Sequence, residues 1–160
     1  MKEIKLTKGY STWVDDDVYV WASKLKWHAA VRASGPYASR HDNDDHGRVV
    51  LLHRLVTGAK KGESVDQINH DTLLNIRANL RICTSSQNIG NSRATTRGTS
   101  IYKGVSWHKA TQKYRAVIMF HRKYIYLGLF VNEVDAALVY DKAARELFKE
   151  FACLNFPDGI

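Results

Sequence analysis

Two neighbouring segments near the C-terminal end of the chain alternate between apolar and polar residues, and this alternation constrains the fold most strongly. In "KYRAVIMF" (113–120) and "KYIYLGLF" (123–130), successive residues fall on opposite faces of an extended strand. The apolar face of the second strand is formed by Ile125, Leu127 and Leu129. The opposite face of the two strands carries Lys113, Arg115, Tyr124 and Tyr126. Each strand is therefore predicted to have one apolar face and one face of cations or tyrosines.

A helix is predicted to cover the apolar side of these strands. Asn132 is a good N-cap, and Asp135 three residues later gives a weaker form of the capping box. Apolar residues then recur at helical spacing, namely Ala136, Ala137, Tyr140, Ala143, Ala144 and Leu147. Residues 101–157 thus show a β-β-β-α pattern.

The middle of the chain carries a long run of positive charge. Between Asp71 and Glu133 there is no carboxylate, whereas ten lysine and arginine residues lie in that interval. The net charge of the whole chain is +8. A field of one sign attracts a polyanion, and neutralising phosphates releases condensed counterions. The charge favours nucleic-acid binding over a merely basic solvated surface, but it does not separate DNA from RNA or a binder from an enzyme.

Composition limits the class of protein. A hydrophobic content of 44% and a charged content of 25% are typical of a soluble globular protein, and 160 residues suit one medium domain or two small ones. No apolar stretch approaches the ~20 residues of a transmembrane helix, and the N-terminus lacks the apolar region of a signal peptide. Cys83 and Cys153 form no CxxC pair and no HxxxH spacing occurs, so neither a disulfide framework nor a structural zinc is expected. We expect a cytoplasmic protein with reduced thiols, no membrane partner and no small-molecule cofactor.

The chain divides by composition into three regions and a linker. Residues 1–56 contain "TWVDDDVYVWA" and "RVVLLHRLV", aromatic and β-branched runs that predict strands and hairpins. Residues 57–92 follow, and residues 101–160 contain the β-β-β-α pattern. Between them, residues 93–100 are small, polar and basic, which is typical of a linker that can lie along a phosphate backbone. The candidate phosphate contacts of the linker are Arg93 and Arg97.

Five motifs occur in order over residues 101–157. They are "YKGVSW" (102–107), "KYRA" (113–116), "YLGLF" (126–130), "EVDAALVYDKAARELF" (133–148) and "LNFP" (154–157). Their order and spacing resemble the plant ethylene-response-factor (APETALA-type) DNA-binding domain. The resemblance implies a small three-stranded antiparallel sheet packed on one helix, with the sheet lying in the major groove of DNA.

The same resemblance implies DNA contacts. The positions that match those of the family are Lys103, Ser106, His108, Tyr124 and Tyr126. Four further residues are candidate DNA contacts because they are positively charged: Lys113, Arg115, Arg122 and Lys123. Lysine and arginine bind phosphates, and arginine can also pair with guanine. Plant domains hold arginines and tryptophans where this chain has serine, histidine and two tyrosines, so the plant target sequence does not carry over. Cross-strand packing is the alternative role for the two tyrosines.

A second set of motifs lies upstream, within residues 51–91. It comprises "HRLV" (53–56), "VDQIN" (65–69), "NIRANLRICT" (75–84) and "SQNIGN" (86–91). In this order the motifs resemble the HNH nucleases, in particular free-standing homing endonucleases of phages and bacteria that carry the same sheet domain at their C-terminus. The resemblance implies an α+β protein. Residues 1–92 would be its nuclease region, made of a β-rich part (1–56) and a ββα-metal core (57–92).

The resemblance to HNH nucleases also implies a metal site. Asp66 and Asn88 match the two protein ligands, whose hard oxygens suit one Mg²⁺ or Mn²⁺ per chain. Asn79 matches the asparagine that braces the loop of the motif by hydrogen bonds. Each of the three has an ordinary structural role as its alternative: a strand-end carboxylate, a helix-start residue and a turn residue.

Gln67 stands where the family has the histidine that activates water. A positioned base contributes ~10²–10⁴-fold in rate, and a glutamine amide cannot accept the proton. Three interpretations remain: a deliberate inactivating substitution, natural decay to a DNA-binding protein, or replacement of the base by His70 or His53. His53 has packing or DNA contact as its alternative role, with Arg54 beside it as a candidate phosphate contact.

We therefore predict a DNA endonuclease of the HNH homing type, in a bacterial or phage-infected cell, that hydrolyses phosphodiesters with one Mg²⁺ and recognises double-stranded DNA through the C-terminal sheet. Because of Gln67, cleavage is expected to be weak or absent. The alternative is a non-catalytic, sequence-specific DNA-binding protein or regulator on the same scaffold. An RNA-binding module ranks third, because the major groove of RNA is too deep and narrow to admit a sheet.

Overall fold

The described part of the chain is a mixed α/β structure with several small sheets. The computed structural model describes residues 1–42, 47–94 and 98–159. These residues contain four α-helices and eleven strands. They divide into two compact units, which we call the N-terminal unit (Met1–Cys83) and the C-terminal unit (Thr84–Ile160). Every helix in the described ranges is too short or too polar to span a bilayer.

The N-terminal unit holds three sheets and two α-helices in its described residues. Its strands are β1 (Lys2–Lys5), β2 (Ser11–Val14), β3 (His28–Arg32), β4 (Gly35–Asp42), β5 (Arg48–Leu51), β6 (Ser64–Gln67), β7 (Leu74–Asn75) and β8 (Leu80–Cys83). Its helices are α1 (Asp16–Ala22) and α2 (Leu52–Thr57), with 3₁₀ turns at Thr7–Gly9 and Arg77–Asn79. The sheets are β1–β2–β7, β3–β4–β5 and the pair β6–β8. All strand pairs are antiparallel except β2 and β7.

Two predictions for the N-terminal region are wrong in part, because helices occupy the second half of each predicted strand. The run "TWVDDDVYVWA" leaves the strand at Val14 and forms α1, whose first turn carries two aspartates that favour a helix N-terminus. Val18 and Ala22 lie four residues apart on one face and are buried. Likewise "RVVLLHRLV" changes from β5 to α2 at Leu52, and α2 ends at the left-handed Gly58.

A buried polar link fixes the strand that follows the candidate site. Thr12 on β2 donates its hydroxyl to the carbonyl of Leu73 at 2.7 Å and accepts from Asn75 Nδ2 at 2.7 Å. Both Thr12 and Asn75 are fully buried. The parallel pairing of β7 with β2 therefore holds the C-terminal end of the loop that leaves β6.

The C-terminal unit confirms the β-β-β-α pattern. Its strands are β9 (Val105–His108), β10 (Lys113–Phe120) and β11 (Lys123–Phe130), which form an antiparallel sheet with β10 in the centre. Its helices are α3 (Ser85–Asn91) and α4 (Glu133–Phe148), followed by a 3₁₀ turn at Lys149–Phe151. The predicted N-cap is confirmed: Asn132 Oδ1 accepts from the backbone N–H of Val134 at 2.8 Å. The sheet and α4 share a core of Val105, Ala116, Ala136 and Ala137.

A β-bulge in the sheet corrects one detail of the predicted alternation. Ala116 pairs with Gly128, but the next residue, Val117, pairs with Tyr126, so Leu127 is the extra residue on β11. Beyond the bulge Leu129 pairs with Arg115, which places Leu129 on the cationic face rather than with Ile125. An inserted residue reverses the phase of a strand whose side chains repeat every two positions.

The functional division of the chain stays a prediction. In the sequence, the boundary between the two compact units falls between Cys83 and Thr84. The predicted nuclease region ends at residue 92, and residues 93–100 were assigned to a linker. An HNH core in residues 57–92 also stays a prediction, although β6, β8 and α3 follow one another in the ββα order.

Gly104 provides a stability test of the C-terminal unit. Its φ is +74°, and a Cβ would overlap the Tyr140 ring and lie 2.8 Å from the carbonyl oxygen of Val117. We expect Gly104→Ala to lower the free energy of unfolding by about 2–4 kcal/mol, from left-handed strain plus overpacking. Gly9→Ala is the matched control, because Gly9 has the same φ with nothing within 4 Å of a Cβ. Urea unfolding followed by circular dichroism measures both, and equal losses would contradict the packing argument.

Candidate metal centre and nucleic-acid interface

Asp66 and Gln67 lie at the end of β6, in the two-stranded sheet. Asp66 pairs with Arg81 and Gln67 pairs with Leu80 on β8. Both side chains are buried, with 3% of Asp66 and 8% of Gln67 exposed. Arg81 Nε donates to Asp66 Oδ2 at 2.7 Å, a charge-assisted bond that neutralises the carboxylate. Sequence reasoning missed this partner, because the register of β6 on β8 is not readable from either strand alone.

The Cys83 thiol lies on the same sheet as Asp66. Burial raises the pKa of Cys83 to about 11, and the Asp66 carboxylate adds to the shift. The thiol is therefore protonated at neutral pH and is a poor nucleophile and metal ligand. Cys83 and Cys153 are both free thiols, as the sequence predicts.

The loop after β6 is held by Asn79, which is 5% exposed. Its Oδ1 accepts from the backbone N–H of Asn69 at 3.0 Å, and its Nδ2 donates to the carbonyl of Leu74 at 2.9 Å. Its own carbonyl accepts from the N–H of Ile68 at 2.9 Å. One side chain thus bonds both ends of the loop, which is the geometry that loop bracing requires.

His70 lies on a tight turn directly after Gln67. Its backbone N–H donates to the carbonyl of Gln67 at 3.0 Å, and its φ is 66°. A left-handed conformation is one that glycine adopts freely and other residues adopt with strain. His70 therefore occupies a backbone conformation that favours glycine.

His53 is a buried residue of α2. Its ring meets Tyr37 edge-on with 5.6 Å between centroids. Burial lowers the pKa of His53 to about 4, and the charges of Arg54 and Arg32 add to the effect. A general base works best with a pKa near the operating pH, so His53 is poorly suited to replace the missing base.

Arg54 is hydrogen-bonded to the backbone of the N-terminal unit. Its guanidinium donates to the carbonyls of Glu63 at 2.7 Å, Ala59 at 3.2 Å and Lys60 at 2.7 Å. These bonds hold the turn between α2 and β6. The predicted phosphate contact of Arg54 stays a prediction.

Asn88 is an exposed residue of α3. The helix begins at a capping box in which Thr84 Oγ1 accepts from Gln87 N at 3.2 Å and Gln87 Oε1 accepts from Thr84 N at 2.8 Å. Asn88 therefore belongs to the C-terminal unit, whereas Asp66, Gln67 and Asn79 belong to the N-terminal unit.

The donor chemistry of the predicted ligands fits a hard cation. A carboxylate and an amide oxygen, completed by water and phosphate oxygens, suit Mg²⁺ or Mn²⁺. In the part of the chain that the structure describes, no group of three or more His, Cys, Asp and Glu side chains could hold a metal. The Asp66 carboxylate is already paired with the Arg81 cation, which a divalent ion would have to displace or share.

The outward face of the C-terminal sheet carries six of the twelve predicted DNA contacts. Cross-strand pairs on this face join His108 with Lys113 and Ser106 with Arg115. Tyr124 and Tyr126 stand beside each other on β11, and 77% and 61% of their surfaces are exposed. Cross-strand packing therefore uses only a minor part of each tyrosine.

The tip of this sheet is a strained two-residue turn. His121 and Arg122 connect β10 to β11, and both have positive φ, 48° and 64°. This is the pattern of a type I′ hairpin, which normally contains asparagine or glycine. Arg122 and the neighbouring Lys123 are exposed at this tip.

Lys103 and Arg93 are not on the strands of this sheet, and Arg97 lies outside the described residues. The Lys103 ammonium donates to the carbonyls of Ile89 at 3.2 Å and Gly90 at 2.5 Å, at the end of α3. Arg93 is exposed shortly after α3, and Arg97 lies outside the described residues. The DNA contacts assigned to these three residues stay predictions.

Comparison with known proteins gives two kinds of similarity. No family model matches the chain. It is 42% identical over 66 residues to APETALA2-like protein 2 of Oryza sativa subsp. japonica, which is 41% of this chain and 15% of that protein. It is 39% identical over 67 residues to ethylene-responsive transcription factor WRI1 of Arabidopsis thaliana, which is 41% of this chain and 16% of that protein.

The second similarity extends over almost the whole chain at lower identity. The chain is 29% identical over 153 residues to an uncharacterized HNH endonuclease of Acanthamoeba polyphaga mimivirus, which is 92% of this chain and 76% of that protein. In contrast, the chain spans less than a fifth of the length of its APETALA2-like relatives. Both resemblances inferred from the motifs thus have counterparts among known proteins.

The neutral, buried His53 predicts a pH dependence of stability. The unfolded chain binds a proton at His53 near pH 6.5 and the folded chain only near pH 4, so stability is lost as pH falls through this window. The loss reaches about 3 kcal/mol at its acid end. Urea unfolding at several pH values measures it. His53→Phe keeps a ring against Tyr37 and should flatten the dependence, and the same slope in both proteins would contradict the assignment.

Proposed function

We propose that this chain binds double-stranded DNA on the scaffold of an HNH homing endonuclease, with residues 101–160 as the recognition module. The observation that carries this proposal is the outward face of β9–β11, where exposed cations and tyrosines cover a sheet backed by an apolar helix. The similarity to plant DNA-binding transcription factors supports recognition of DNA, and the similarity to a viral HNH endonuclease supports the scaffold.

The sheet face would read the major groove, which is wide enough for β-strands. Lys113, Arg122 and Lys123 would bind phosphates along the groove edge. Arg115, in the centre of the face, can pair with guanine, and Ser106 and His108 offer hydrogen bonds to base edges. The two exposed tyrosines would stack on sugars or bond a phosphate.

The nuclease part of the proposal concerns Asp66 and Asn88, which would hold one Mg²⁺ or Mn²⁺. Such an ion, when bound, polarises the scissile phosphate and stabilises charge on the leaving 3′-oxygen. Asn79 would keep the loop after β6 in place for this site. Arg54, Arg93 and Arg97 would follow the DNA backbone. One metal per chain would cut one strand at a time.

Gln67 limits the reaction. Its amide can orient a water molecule but cannot take the proton, and the loss of a positioned base lowers the rate by ~10²–10⁴-fold. His70, one turn later, is the better candidate for a substitute base, because the pKa of His53 is about 4. We expect the chain to cut DNA weakly or not at all while still binding it.

A second candidate function is sequence-specific DNA binding without catalysis. Two observations favour it: Gln67 replaces the base, and Arg81 bonds the Asp66 carboxylate that would bind the metal. A regulator on a former nuclease scaffold needs only the recognition face. In either case we place the protein in the cytoplasm of a bacterial or phage-infected cell.

Restoring the base tests the nuclease scaffold. Supercoiled plasmid is incubated with the parent protein and with Gln67→His in Mg²⁺ and then in Mn²⁺. We expect the variant to nick DNA ~10²–10⁴-fold faster, because a general base is regained. Gln67→His combined with Asp66→Ala is the control and should be inactive. If neither protein cuts while both bind DNA, the non-catalytic function is correct. If the parent cuts and His70→Ala abolishes cutting, His70 is the base.

The recognition face predicts a change in salt dependence. Lys113→Gln should reduce the slope of log affinity against log salt by about 0.9, because one fewer phosphate is neutralised. Lys142→Gln is the matched control, since Lys142 is an exposed lysine of α4, on the helix behind the sheet. Fluorescence anisotropy with a labelled duplex measures both slopes. Equal slopes for the two variants would remove Lys113 from the interface.

A further inference from the structure

Helix α3 is bonded to the recognition sheet at its first turn. The backbone N–H of His121, at the β10–β11 tip, donates to Ser86 Oγ at 3.2 Å. The His121 ring meets Phe120 edge-on with 4.1 Å between centroids, and Phe120 meets Phe148 of α4 edge-on at 5.7 Å. The start of α3 is thus tied to the tip that carries Arg122.

The C-terminal end of α3 is bonded to the segment that follows α4. The carbonyl of Gly90 accepts from the backbone N–H of Cys153 at 3.0 Å. Gly90 is buried, and a Cβ on it would lie 2.6 Å from Cγ of Phe148. Only glycine permits this approach, so α3 rests directly on the aromatic end of α4.

Lys103 completes this attachment. Its backbone N–H donates to Asn155 Oδ1 at 2.7 Å, and its carbonyl accepts from Asn155 Nδ2 at 3.2 Å. With the backbone held, the half-buried side chain carries its ammonium to the carbonyls of Ile89 and Gly90. These carbonyls also accept from Ser92 and Cys153, and the cation adds a charge-assisted bond to each and complements the helix dipole.

We propose that Lys103 is a positioning residue that fixes α3, and with it Asn88, to the DNA-reading sheet. The inference rests on the proposed function in one respect, the role of Asn88 as a metal ligand. It assigns Lys103 a different role from the phosphate contact that its motif implies. The distance from the bound bases to Asn88 would then be set by α3 and not by the length of residues 93–100.

The protonation of Lys103 is compatible with this role. Burial lowers the pKa of Lys103 to about 8, so the side chain remains an ammonium at neutral pH and can donate to both carbonyls. The Tyr140 ring lies 5.9 Å from Nζ and contributes a weak cation–π contact. Because the ammonium is bonded to carbonyls, it would not neutralise a DNA phosphate and would release no counterion.

The test compares the parent full-length chain with Lys103→Met and Lys103→Arg. Methionine keeps the length and volume of the side chain without the charge, and arginine keeps the charge. Amide hydrogen exchange should rise about 10–100-fold in α3 of the methionine variant, because charge-assisted bonds are lost, and arginine should restore most of the protection. The salt slope of DNA binding should equal that of the parent. Mn²⁺ binding in the presence of DNA, measured by electron paramagnetic resonance, should weaken in parallel with the loss of protection.

The other possible results of these measurements would each overturn the proposal or part of it. A salt slope lowered by about 0.9 with unchanged α3 exchange would make Lys103 a phosphate contact and overturn the proposal. Faster exchange in α3 with unchanged Mn²⁺ affinity would reduce Lys103 to a packing residue and also overturn it. If the parent binds DNA but no Mn²⁺, the nuclease function fails and the positioning role fails with it, whereas the attachment of α3 is still decided by exchange.

Gly90→Ala provides a second variant that changes no charge. The added methyl group should separate α3 from Phe148 and accelerate exchange in α3 as Lys103→Met does, with the salt slope unchanged. Exchange in α3 equal to that of the parent would show that the helix is not held by this unit and would overturn the proposal.

Discussion

The buried carboxylate of Asp141 holds the C-terminal unit together. This side chain of α4 is fully buried and accepts from the backbone N–H groups of Asn155 and Phe156 at 2.9 and 2.8 Å and from Asn155 Nδ2 at 3.0 Å. A buried charge is tolerated only when it is hydrogen-bonded in this way. Asn155 in turn fixes the backbone of Lys103, whose ammonium reaches α3. Asp141 of α4 thus bonds the C-terminal tail, and Asn155 of that tail bonds the backbone of Lys103 just before β9.

These bonds bear on the proposed recognition of DNA. A sheet in the major groove must keep its register against the duplex, and the apolar side of the sheet supplies that rigidity by packing on α4. The helix α3, whose residues fall within the nuclease-like motifs, is bonded to the rest of the C-terminal unit at both ends. The proposed recognition face and the candidate metal ligand Asn88 thus belong to one compact unit. In the N-terminal unit, Asn79 has the corresponding task of holding the loop beside Asp66 and Gln67.

Sequence reasoning predicted the local features of this fold and missed those that depend on distant partners. The strand alternation of 113–130 and the N-cap at Asn132 were readable because each depends on a few consecutive residues. The bulge at Leu127 could not be read, since it depends on how β11 pairs with β10. The β-branched and aromatic residues of α1 and α2 predict strands locally, whereas burial of one face against the core selects a helix.

The same division applies to the candidate site. Motif order indicated Asp66, Asn79 and Asn88, and the bonds of Asn79 have the geometry that loop bracing needs. The ion pair of Asp66 with Arg81 and the bonds of the Lys103 ammonium join residues that are 15, 14 and 13 positions apart. No periodic pattern marks such pairs. Both bear on the proposed function, because Arg81 would compete with a metal for Asp66, and the bonds of Lys103 occupy an ammonium that the motif assigns to DNA.

The central claim is that the exposed face of β9–β11 reads double-stranded DNA by sequence. Selection of binding sites from a random duplex library with the full-length protein tests it most directly. The account predicts enrichment of one motif, bound at least about 10³-fold more tightly than random duplex at physiological salt. It also predicts that Arg115→Ala loses preference at one position of that motif. An unenriched library, with equal affinity for random DNA and double-stranded RNA, would contradict it.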